Sequence, residues 1–188
     1  MKADKNIIGS QYIYFNEINS TNTHLKKLLK TGESIPEGMV VKAGFQNGGR
    51  GMATNQWVSE REKNLTFSFV VRPDFIIPEN QFVITKIMAL GIAEFLAGYT
   101  GNIAIKWPND LMVHDQKICG ILIENSLNEE EIEYSVIGIG LNINQQTFPG
   151  EISRPVSLSM ITGNQYDLDK CFNQLINILN KWYTDLKY

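Results

Sequence analysis

Cysteine and histidine are scarce in this 188-residue chain, with only two of each. Cys119 and Cys171 lack the paired spacing of a zinc ribbon, and no secretory signal precedes them, so both read as free core thiols. His24 and His114 are too few for a histidine-rich metal centre or a hydrolase triad, and His24, following STNT, reads as a solvated helix residue. Charge of one sign is also scarce: the net charge of −3 creates no field that would draw the molecule onto nucleic acid. No stretch supplies the roughly 18 uninterrupted apolar residues of a membrane span. The N-terminal MKADKNIIGSQYIYF has no long apolar core behind its lysines, so the chain is expected to be cytoplasmic and off the membrane. Repeats and low-complexity tracts are missing too. The composition, 43% hydrophobic and 20% charged, is that of a single soluble domain with a sizeable core.

The periodicity of the apolar residues alternates between that of strands and that of helices, which predicts mixed α and β structure. Residues 11–18 and 38–45 read as strands, and so does 64–71, where the alternation is strong. Between the first two, Ser20 or Thr21 is an N-cap for a helix through Leu25, Leu28 and Leu29, with Gly32 as its stop. Residues 80–97 repeat apolar side chains at helical spacing behind Pro78. IAIKWPNDLMV, KICGILIENS and IEYSVIGIGLNI read as three neighbouring strands, with HDQ as a hairpin loop. After a proline-containing connection, residues 167–187 close the chain as an amphipathic helix.

Two stretches are too polar or too unusual to be framework alone. Gly48, Gly49 and Gly51 surround Arg50, so backbone N–H groups and a guanidinium fork could both approach an anion. The spacing is neither GxGxxG nor GxxxxGK[ST], which excludes the two commonest nucleotide loops, and a plain polar turn stays open. KWPNDL, residues 106–111, packs a lysine, an aromatic ring, a proline and an amide–carboxylate pair into six positions; the bland alternative is an Asx-type turn after a strand. If that strand pairs with KICGILIE, Lys106 and Lys117 converge on one side of the sheet. Three cations in one place, counting Arg50, would suit a polyphosphate.

STN (Ser20–Asn22), the GRG loop (Gly49–Gly51), Trp57, KWPNDL, KICGILIE and GIGLN (Gly138–Asn142), taken in order, resemble the biotin protein ligase family over nearly the whole chain. The resemblance implies an α+β fold of the class II aminoacyl-tRNA synthetase/biotin synthetase type, with a mixed, mostly antiparallel sheet flanked by helices. It implies one catalytic domain over 1–188, with neither the winged helix that precedes this domain in some relatives nor the small β-barrel that follows it in many, and hence no DNA binding. A homodimer is left open.

By the same resemblance, Ser20, Thr21, Asn22 and Gln46 would meet the ureido end of biotin. Gly49, Arg50, Gly51 and Met52 would border the ligand, as would Gly120 and Gly138, while Trp57, Ile121 and Leu122 would form apolar walls. Arg50, Lys106 and Lys117 would hold the carboxylate and the phosphates of ATP, joined by Asn109 and Asn142. Asp110 would steer or deprotonate the attacking amine, with a phosphate-bound Mg²⁺ near it and no certain protein cage for that ion. The activity implied is formation of biotinyl-5′-AMP, then transfer of biotin to a lysine of a biotin carboxyl carrier protein. The loop from Gln46 to Trp57 would order over the adenylate. After GRG the family is usually richer in arginine, where this chain has Met52, Ala53, Thr54 and Asn55. Two competing readings are a lipoate or octanoate ligase of the same fold, disfavoured by the intact motifs, and a non-catalytic biotin-binding module, disfavoured by the three cations.

Overall fold

The computed structural model describes residues 7–31, 34–128, 131–149 and 154–188. Seven strands form one sheet: β1 (Tyr12–Phe15), β2 (Val40–Ala43), β3 (Leu65–Val71), β4 (Ile103–Lys106), β5 (Asp110–Val113), β6 (Gln116–Leu127) and β7 (Ile132–Leu141). Their order is β1-β2-β3-β7-β6-β5-β4, with β1 parallel to β2 and every other pairing antiparallel. The helices are α1 (Thr21–Lys30), α2 (Phe82–Ala97), α3 (Leu158–Thr162) and α4 (Leu168–Lys187).

Alternation along the central strands assigns the two faces of the sheet. Leu65, Phe67, Phe69 and Val71 of β3 join Ile137, Ile139 and Leu141 of β7 in one core, roofed by Ile84, Met88 and Phe95 of α2 and Leu175, Leu179 and Tyr183 of α4. Burying a side chain of this size contributes about 1.5–3 kcal/mol. The stretch Pro78–Ala97 is apolar enough, at mean hydropathy 1.3, to resemble a membrane span, but Ile84, Met88, Ile92 and Phe95 are fully buried in this core. The opposite face is covered at one end only, where Leu25 of α1 packs on Val41 and Val136.

The strands and helices fall where the patterning places them, with two differences. IAIKWPNDLMV is two strands rather than one, because Trp107–Asn109 turns the chain back and pairs β4 against β5. The peptide between Trp107 and Pro108 is cis. Helix α3 lies in the proline-containing connection, where no helix was expected; it is capped by Ser157 and stopped by Gly163 in the left-handed region, φ 75°. Ser20 caps α1, accepting from the Thr23 N–H, and the helix ends with Thr31, while Gly32 lies outside the described residues. In the HDQ hairpin, His114 and Asp115 both have positive φ, as a two-residue turn of this hand requires.

Glu37, just before β2, fastens the end of α4. Its carboxylate accepts from the Tyr183 hydroxyl at 2.7 Å, Lys187 at 3.0 Å and the Arg72 N–H at 2.9 Å. Burial pushes this carboxyl upward, but those hydrogen bonds and the Lys187 charge outweigh it and hold the group below its ordinary 4.5. A carboxyl lowered in the folded chain stabilises it above the unfolded pKa, and that contribution is lost as pH falls through the folded value. Glu37→Gln should therefore lower the Tm by a few degrees at neutral pH, with the gap to wild type closing in acid. Thermal melts at pH 7, 5 and 3 check this; a gap that stays constant refutes the linkage.

Candidate active site

The uncovered part of the second sheet face is a cleft of about 250 Å³. Its floor is set by register: Ser68 of β3, Gly138 of β7 and Leu122 of β6 form one row, and Thr66, Gly140 and Gly120 form the next. The residues alternating with these are the large apolar ones of the core. The two β7 glycines are seats for side chains arriving from other elements. A Cβ on Gly138 would lie 2.2 Å from Asn22 Oδ1, and one on Gly140 would lie 2.3 Å from the Trp57 ring. Sequence reading reserved the space above Gly120 and Gly138 for the ligand, whereas Trp57 and Asn22 occupy part of it.

Helix α1 brings its first turn to the cleft, so Thr21 and Asn22 reach in from the N-terminal end. The Thr21 N–H donates to Gln46 Oε1 at 2.7 Å, and the Thr21 hydroxyl lies 3.0 Å from the same oxygen and 2.6 Å from Ser68 Oγ. Ser68 donates to Asn22 Oδ1, and Asn22 Nδ2 donates to Glu124 at 3.1 Å. These hydroxyls and amides form one buried polar wall, the type of surface that matches a ligand carrying both donors and acceptors.

Facing this wall is the hairpin of residues 49–57, in which Arg50 bridges to Gln56 and the Trp57 N–H donates to the Gly49 carbonyl. Arg50 reaches across to Glu124 at 3.1 Å. Glu124 also holds Lys26 at 2.7 Å. Burial pushes its carboxyl upward, but the hydrogen bonds from Lys26 and Asn22 and the charges of Lys26 and Arg50 hold it lower than usual. At the other end of the cleft, the turn at Trp107–Asn109 sets Lys106 opposite Asp110, and Asp110 lies 2.7 Å from Lys117. Asn109 Nδ2 donates to the Ile121 carbonyl, which ties this turn to β6. The Trp57 indole N–H is buried without a partner among the described residues.

Ser20, Thr21, Asn22, Gln46, Arg50, Gly51, Met52, Trp57, Lys106, Asn109, Asp110, Lys117, Gly120, Ile121, Leu122 and Gly138 therefore share one cleft. Two expected residues are not part of its lining. Gly49 begins the hairpin, where a Cβ would lie 2.3 Å from the Trp57 carbonyl oxygen, and Asn142 is buried with its amide donating to the Val156 carbonyl, where it holds the chain after β7. Ile121 reaches the cleft, but its side chain belongs to the core, because it alternates with Gly120 and Leu122. Both cysteines are buried and free, as expected. Sequence reading missed Thr66, Ser68 and Gly140. The first two were legible as the polar beats of LTFSFVV.

A model of the biotin/lipoate A/B protein ligase family matches residues 14–142, more than half of the chain. The chain belongs to this family. Within it the likeness is to biotin ligases. Over 95% of its length this family member is 31% identical to the bifunctional ligase/repressor BirA of Bacillus spizizenii, of which it spans 55%. Over 89% of its length it is 29% identical to the biotin–[acetyl-CoA-carboxylase] ligase of Paracoccus denitrificans, covering 70% of that protein. The biotin protein ligase of Aquifex aeolicus, solved in complex with biotin and ATP, superposes at TM-score 0.80 with 27% identity over 95% of this chain and 72% of that one. The architecture of these ligases, the class II synthetase-like fold, is thus the fold of this chain.

Proposed function

We propose that this chain is the catalytic domain of an ATP-dependent biotin protein ligase. The observation that supports this reading best is the union, in one cleft, of a hydroxyl–amide wall with the cations Arg50, Lys106 and Lys117. A neutral ring system held at the wall would place its carboxylate tail towards the cations. An apolar side to the site comes from Trp57 and Leu122. In the first step a carboxylate oxygen of biotin attacks the α-phosphorus of ATP, forming biotinyl-5′-AMP and expelling pyrophosphate. Arg50, Lys106 and Lys117 stabilise the charge that develops on the phosphoryl oxygens. Arg50 and Lys117 exchange Glu124 and Asp110 for the substrate as they do so.

The adenylate is a mixed anhydride that water destroys, and the hairpin of residues 49–57 is placed to shield it. In the second step a lysine amine of a biotin carboxyl carrier protein attacks the biotinyl carbonyl, an amide forms, and AMP leaves with the electron pair of the broken bond. Asp110 receives the proton of the incoming ammonium group. The described residues offer no cluster of three His, Cys, Asp or Glu side chains. Asp110 alone beside the phosphate site fits Mg²⁺, which is held largely by phosphates and water with one or two carboxylates, and which would neutralise the polyphosphate when bound. The reaction is assigned to the cytoplasm, where ATP is available and the buried thiols Cys119 and Cys171 stay reduced.

The deciding experiment is exchange of labelled pyrophosphate into ATP with biotin, lipoate or octanoate as the acid. Exchange with biotin alone is the expected result. Exchange driven by lipoate or octanoate would reassign the substrate, and biotin binding without exchange would make the domain a non-catalytic biotin-binding module.

A further inference from the structure

Beyond releasing Arg50, Glu124 has no part in the chemistry above, yet it contacts three groups that line or border the cleft: Asn22 at 3.1 Å, Arg50 at 3.1 Å and Lys26 at 2.7 Å. An ionised carboxylate can only accept hydrogen bonds, so Asn22 must turn its Nδ2 towards Glu124 at 3.1 Å, with the Leu122 carbonyl a longer second acceptor at 3.4 Å. The Asn22 Oδ1 is thereby committed to the opposite side, over Gly138, where Ser68 donates to it. Ser68 has then used its only proton, so at the 2.6 Å contact with Thr21 it must accept. The single Thr21 proton is spent inside the wall, shared between Ser68 Oγ at 2.6 Å and Gln46 Oε1 at 3.0 Å, and the lone pairs of Thr21 are left for a ligand. The Thr21 N–H claims Gln46 Oε1 at 2.7 Å, which leaves Gln46 Nε2 as the donating end of that amide.

We propose that Glu124 is a positioning residue that sets the hydrogen-bond polarity of the cleft wall, relayed through Asn22 and Ser68 to Thr21. Thr21 then presents an acceptor and Gln46 a donor, which selects a ligand offering an N–H beside a carbonyl, as a cyclic urea does. This inference rests on reading the cleft as a biotin site. Glu124→Gln breaks the relay at its origin, because a glutamine can donate to Asn22 Oδ1 and let the amide turn over. Ser68→Ala breaks it midway by removing the donor to Asn22 Oδ1.

The test is titration calorimetry of the full chain with biotin and with 2-iminobiotin, whose cationic guanidino group replaces the acceptor oxygen with a donor. Wild type should prefer biotin strongly. In Glu124→Gln and in Ser68→Ala that preference should fall by about tenfold or more, because correctly oriented polar groups are what such discrimination uses. Glu124→Asp, which still only accepts, should keep the preference even if both ligands bind more weakly. Equal losses for the two ligands in both disrupting variants would overturn the polarity role and leave Glu124 a plain structural anchor. Failure of wild type to bind biotin would overturn the biotin reading of the cleft, a distinct outcome.

Discussion

Lys117→Ala is expected to reduce biotin-dependent pyrophosphate exchange by about a hundredfold or more, and Arg50→Ala to do likewise, because on the proposed reading each removes a charge aimed at the oxygens that become more negative as the phosphoryl bond forms. The two lysines are not equivalent. Lys117 is largely buried against Asp110, at 26% side-chain exposure, and it lies 5.9 Å from the Trp57 ring centre, so its position is fixed before substrate arrives. Lys106 stands on the exposed edge strand β4, and Lys106→Ala should cost less. Single-turnover kinetics would separate these effects from binding. The melting temperature of Arg50→Ala should hardly change, since half-exposed ion pairs such as Arg50–Glu124 contribute only about 0–1 kcal/mol. Exchange at wild-type rate in Lys117→Ala would remove the phosphate role assigned to it.

Gly140→Ala is expected to impair biotin binding by a similar or larger factor through purely steric means. The added methyl carbon would meet three ring atoms of Trp57, at 2.3, 2.6 and 2.7 Å, so the indole must leave the floor of the cleft. The strand itself cannot yield, because Gly140 is paired on both sides, with Thr66 and with Gly120. Overpacking of this type costs about 1–3 kcal/mol, and here the displaced group is also a wall of the site. Calorimetry with biotin measures the loss. The companion variant Gly140→Ala with Trp57→Leu separates the causes: the smaller side chain should restore stability without restoring affinity. Unchanged affinity in the single variant would mean that Trp57 has no part in the site.

Most of the framework was legible in the sequence because patterns of period two and 3.6 report directly on which side chains are buried. The closing helix at 168–187 and the strand at 65–71 were fixed by such patterns. What was not legible has a common physical cause. IAIKWPNDLMV looked continuous because both of its halves are strand-like, and nothing local says that the chain reverses at Trp107–Asn109. Helix α3 has only five residues, too few for periodicity to show. In the site, the motifs contained residues such as Glu124 and Gly140 without showing which side chains they orient or seat. Ser68 and Gly140 sit opposite each other's neighbours only after β3 and β7 pair, and Glu124 reaches Asn22 across 102 positions of chain. Asn142 shows the converse: it belongs to a motif, GIGLN, yet its amide holds backbone beneath the cleft.

The same strands that floor the cleft also form the core, with the odd-numbered residues of β3 and of β7 from Ile137 to Leu141 facing α2 and α4 and the even-numbered ones between them facing the cleft side. A single inserted or deleted residue in β3 would send its phenylalanines into the cleft, and one in β7 would send its glycines into the core. Evolution of this domain is therefore constrained in a quantised way. Its strands can change length only in steps of two, or at bulges such as the one between Leu111 and Met112, while new specificity must arise by substitution on the even positions or in the hairpin that faces them.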